Sequence, residues 1–151
     1  MQPFLQDAGR SLAMGVKQEV WAMQADNVVM LRPIERVRQD GEPIATIYRN
    51  LGTDSAEQVV TRALGELALT MAGLASQVRA RDLADVSRQL RRLQRMAENL
   101  GMVSLGLVAA DVRACLDRSD STAFTAVWAR LIRVAERSLS SDKDLLDRSL
   151  I

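Results

Sequence analysis

Residues 82–105 read DLADVSRQLRRLQRMAENLGMVSL, and this stretch decides the fold. Leu83, Val86, Leu90, Leu93, Ala97 and Leu100 recur every three or four positions, the spacing that gathers side chains on one face of an α-helix. Asp82 is placed to cap the start of that helix, and Gly101 to end it in the left-handed conformation a glycine adopts without a Cβ penalty. Ser104 can then cap a next helix that buries Leu105, Val108, Val112 and Leu116. Two apolar faces joined by so short a break fold back on each other, which predicts an antiparallel helix pair.

The same rule extends outward. Upstream, Asp54 with Glu57, or Ser55 with Gln58, can form a capping box. Val60, Leu64, Leu67, Met71, Leu74 and Val78 follow as a bundle seam. Downstream, the polar break Asp117 to Asp120 precedes Phe124, Val127, Trp128, Leu131 and Val134. The expected fold class is all-α: an up-and-down antiparallel four-helix bundle over residues 54–139, with a charged tail, frayed or loosely docked, over 140–151.

Residues 1–53 hold all three prolines and read as an arm. Leu5, Ala8, Leu12, Val16, Val20 and Met23 carry a helical period, with Gly15 in its middle. Asp40-Gly41 is a favoured two-residue turn, so a short β-hairpin is expected between Ile34 to Gln39 and Glu42 to Tyr48. Pro33 and Pro43 restrict it to edge strands. A lone hairpin is marginal in water and should pack on the helices or on a second copy of the chain.

The chain has 151 residues, 48% hydrophobic and 3% aromatic, enough for one domain whose core needs no disulfide. Its single Cys115 has no intrachain partner and sits beside Leu116, where packing is a better reading than nucleophilic chemistry. A reducing, cytoplasmic location is expected. Histidine is absent, which removes imidazole as general base, metal ligand or phosphoacceptor. The carboxylates Glu57, Glu66, Asp82, Asp85 and Glu98 are scattered, Gly101 and Gly106 are isolated, and no catalytic residue, metal ligand or cofactor site is assigned. Met1 to Met23 is interrupted by Asp7, Arg10, Lys17 and Glu19, so neither a transmembrane span nor a signal peptide is expected. A net charge of +1, from 20 Lys+Arg against 19 Asp+Glu, argues against general nucleic-acid binding.

Charge is nevertheless unevenly placed. On a helical wheel Arg88, Arg91, Arg92 and Arg95 lie almost opposite the seam of residues 83–100. A stripe of good helix formers can be solvated surface and nothing more. Here, however, no acid is seen three or four residues away within the stripe, and like charges at that spacing repel. An acidic partner would relieve them, and the planar guanidinium grips carboxylate or phosphate at two points.

Asn99-Leu100-Gly101-Met102, followed by Ser104-Leu105, Val108-Ala109 and Val112 to Leu116, resembles the helix break of the histidine phosphotransfer (HPt) domains of two-component signalling. Those domains are four-helix bundles that pass a phosphoryl group between receiver domains, and the resemblance covers Asp85 to Ser138, about a third of the chain. The family's His-x-Leu-Lys-Gly motif falls on Arg91, Arg92, Leu93, Gln94 and Arg95, of which Leu93 alone keeps the family residue. Arg91 replaces the phosphoacceptor, and a guanidinium has no free nucleophilic lone pair at neutral pH. The resemblance therefore implies the fold without the transfer, and a receiver domain or sensor kinase as partner.

The sequence supports two expectations of different kinds. One is a non-catalytic HPt-like adaptor that binds a signalling partner through Arg88, Arg91, Arg92 and Arg95. The other is a structural homodimer in which arm and seams assemble and the arginine face is only solvated. A nucleic-acid binder ranks below both for want of aromatic residues to stack bases, and an enzyme ranks last.

Overall fold

Every described element is a helix. The computed structural model describes residues 33–149, with side chains through residue 141. The helix expected over Leu5 to Met23 lies outside the described residues. Five helices follow one another: α1 (Glu42–Leu51), α2 (Thr53–Arg79), α3 (Val86–Asn99), α4 (Val103–Asp117) and α5 (Ser121–Ser149).

The expected hairpin is overturned. Glu42 to Tyr48 lies in α1, and among the described residues no strand is present. Ile44, Ile47 and Tyr48, which fit a helical period, pack on the core. Pro43 stands in the first turn, where its missing N–H costs nothing and its fixed φ suits a helix. Asp40 Oδ1 accepts the Glu42 N–H at 3.0 Å, a helix-start bond rather than a hairpin turn. Gly52, at φ 77° and ψ 167°, both closes α1 and opens α2, a backbone conformation almost confined to glycine.

Three caps also differ from expectation. The α2 start carries no side-chain cap from Asp54 or Ser55. Asp82 does not open α3; its N–H bonds the Gln77 carbonyl at 3.0 Å while Arg81, at φ 54°, bonds Val78. That is the Schellman pattern, so Asp82 closes α2, and α3 begins only at Val86 with Leu83 left 44% exposed. Ser104 is already inside α4, and its Oγ accepts the Arg38 N–H at 2.7 Å. Gly101, at φ 74°, is the left-handed stop expected for α3. Ser119, at φ 55°, ends α4 the same way, and Asp120 Oδ1 then accepts the Ala123 N–H at 3.0 Å, a cap for α5. Residues 140–149, expected as a tail, continue α5 as helix.

The seams meet as their periods require. Leu67, Leu74, Leu90, Leu93, Met102, Leu105, Leu131 and Val134 are fully buried in one apolar core, with Cys115 buried at its edge. α2 packs on α3, α3 on α4 and α4 on α5, whereas α2 and α5 meet only lightly. α2 is also long and apolar enough to cross a membrane by length and composition, with a mean hydropathy of 1.2 in its richest window. Only 28% of that window is buried, because Ala, Gly and Leu69 continue the apolar character onto its outer side.

Residues 35–51 fall in the same compact unit as the helices that follow, with Val37, Ile44, Ile47 and Tyr48 packed against the core. Residues 35–40 form a strap without regular secondary structure. Glu35 Oε1 accepts from Arg133 Nε at 3.1 Å and Nη2 at 3.0 Å, and Gln39 Nε2 donates to the Ser138 carbonyl at 3.3 Å. Val37 packs on the core, and the Asp40 N–H donates to the Gly101 carbonyl at 2.7 Å. The strap thus ties α5 to the α3–α4 turn.

Candidate functional site

α3 positions the arginines. Val86, Leu90, Leu93 and Ala97 are buried, which fixes the helix's rotation and turns Arg88, Arg91, Arg92 and Arg95 outward. All four are exposed, and the structure brings them together along one helix as expected.

They are not equivalent. Arg88 Nε lies 2.8 Å from Asp85 Oδ1, so an acid does stand three residues away and the stripe is compensated at its N-terminal end. Gln89 Nε2 donates to the other Asp85 oxygen at 3.1 Å. That bond, followed by the contact with Arg88, holds the Asp85 carboxyl below its ordinary range. Glu98 stands three residues after Arg95, yet its Oε1 accepts from Gln94 at 2.9 Å instead. Arg91, Arg92 and Arg95 form no ion pair and no side-chain hydrogen bond with any described residue.

Arg92 differs again, since it turns toward α2 and borders a groove of about 300 Å³. Glu66, Leu69, Thr70, Gly73, Leu74 and Gln77 of α2 form one wall, with the Glu66 carboxylate 3.4 Å from Arg62 Nε, and Gln89 joins Arg92 on the other. Leu69 is 74% exposed. Gln77 Oε1 is buried and without a hydrogen-bond partner among the described residues. The sequence reading passed over Leu69, Gly73 and Gln77, because all three lie off the seam. The available signal was Leu69 itself, a large apolar residue out of register with the helix's buried stripe.

Comparison with family models, curated proteins and solved structures returns no match. Function must therefore be read from chemistry alone. Among the described residues no three acidic or cysteine side chains are grouped to hold a metal. At the N-terminal end of α3, a pocket of about 460 Å³ is lined by Leu83, Cys115, Leu116 and Phe124 together with Ser87, Ser119, Ser121, Asp117 and Asp120. Arg118 Nη2 donates to the Cys115 Sγ at 4.0 Å. The arginine surface can bind anions: each free guanidinium offers five N–H donors in a planar fork that matches a carboxylate or phosphate.

Proposed function

We propose that α2–α5 form an up-and-down four-helix bundle of the HPt kind that has lost phosphotransfer and acts as a cytoplasmic adaptor. It docks an acidic surface of a receiver domain or sensor kinase on Arg88, Arg91, Arg92 and Arg95. One observation carries this reading: Arg91, Arg92 and Arg95 stand exposed on one helix without an acid among the described residues to neutralise them. Holding three like charges on adjacent turns costs free energy in the isolated helix, which an acidic partner recovers. The resemblance places Arg91 where a phosphoacceptor would stand, and arginine at that position binds an anion without attacking it.

The test is capture of partners from native lysate with the intact protein and with Arg91→Glu, Arg95→Glu, followed by titration of the captured receiver domain or kinase. Charge reversal is expected to weaken binding by about tenfold or more with the thermal midpoint unchanged. Equal affinity for the two proteins would overturn the reading.

A further inference from the structure

The α2–α3 groove and the arginine stripe share Arg92, which makes them parts of one surface. We infer that this surface binds an acidic amphipathic helix, whose apolar edge enters the groove while its carboxylates engage Arg91, Arg92 and Arg95. This rests on the proposed function and specifies the kind of segment the partner presents. Three features support it. Leu69, 74% exposed, gives the groove an apolar rim above the buried Leu74, and a helix packs on such a surface through side chains spaced three and four apart. Gly73 contributes no side chain, and a Cβ built there meets nothing within 4 Å, so the cleft is open to an inserted side chain. The guanidiniums lie alongside the cleft on α3, while the one carboxylate of its lining, Glu66, is paired with Arg62 at 3.4 Å, which sets the sign of the occupant's flanking charge.

The probe is a fluorescein-labelled peptide of about 20 residues, long enough to hold a helix in water, with a leucine stripe flanked by glutamates. Control peptides replace the glutamates with lysine or the leucines with serine. Fluorescence anisotropy with the full chain should give saturable binding that both controls lose. Gly73→Phe should fill the cleft and weaken binding by about tenfold with the thermal midpoint kept or raised, because the site is open and phenylalanine is a better helix former than glycine. Leu69→Ser, at a position already exposed, should weaken binding without touching the core. If Arg91→Glu, Arg95→Glu abolishes binding and Gly73→Phe does not, the arginine reading stands and the groove is overturned. If the glutamate peptide binds equally to the charge-reversed protein, both fall. A dimer in sedimentation that Gly73→Phe dissociates would give the groove to a second copy of the chain and overturn the proposal.

Discussion

Gly101 is the position where one missing methyl matters most. Its φ of 74° disfavours any side chain, and a Cβ there would land on the Asp40 carbonyl oxygen, so strap and turn meet only because the residue is glycine. Gly101→Ala should cost about 2 kcal/mol or more in urea unfolding, from left-handed strain and displacement of the strap together. Ser119 presents the opposite case, because it holds φ 55° without being glycine. Ser119→Gly should raise stability by about 0.5–1 kcal/mol, and a loss would mean the serine side chain has a role beyond the turn. Asp85 carries the pH response of the stripe. Its folded carboxyl titrates below the ordinary 3.8, so its bonds to Gln89 and Arg88 are complete above that value and loosen as pH falls through the lowered one. A carbon-detected NMR titration should place the midpoint under 3.8, and Gln89→Ala should move it upward.

At the scale of elements, the helices were legible where two signals agreed. The α3 period and Gly101 both pointed to a helix ending at the same turn, and the structure ends it there. Residues 42–48 carried two conflicting signals, an Asp-Gly turn and an Ile44, Ile47, Tyr48 helical period, and the first-turn proline decided for the helix. The Asp82 cap was misread because Arg81 takes the left-handed conformation without being glycine, leaving no mark in the sequence. The strap was equally hidden, since its partners Ser104, Arg133 and Ser138 stand about 66 to 99 residues away. Glu35 is its anchor, with a side chain 16% exposed between Arg133 and Arg130. Glu35→Gln should cost about 1 kcal/mol, more than an ordinary surface pair, and a double-mutant cycle with Arg133 should recover most of it as coupling.

For the whole molecule, the candidate site was half visible. The arginine stripe followed from helical spacing on α3, whereas the groove beside it needed α2 set in register against α3, which no local pattern specifies. The distribution of charge also separates what salt should and should not change. A net charge of +1 gives the chain little overall field, so the attraction is local to three exposed guanidiniums whose reach shrinks as ions are added. Screening shortens from roughly 10 Å at 0.1 M salt to 3 Å at 1 M, enough to weaken a rim of exposed charges while leaving apolar contacts intact. Binding of the captured partner should therefore loosen steadily with sodium chloride, mainly through a slower association rate. Folding rests on a core of leucine, valine and methionine, so the thermal midpoint should hardly move over the same range. Arg88→Ala should leave the salt slope nearly unchanged because Asp85 already neutralises that residue, while Arg92→Ala should flatten it. A slope that responds equally to both substitutions would mean that the Asp85 pair opens when the partner arrives.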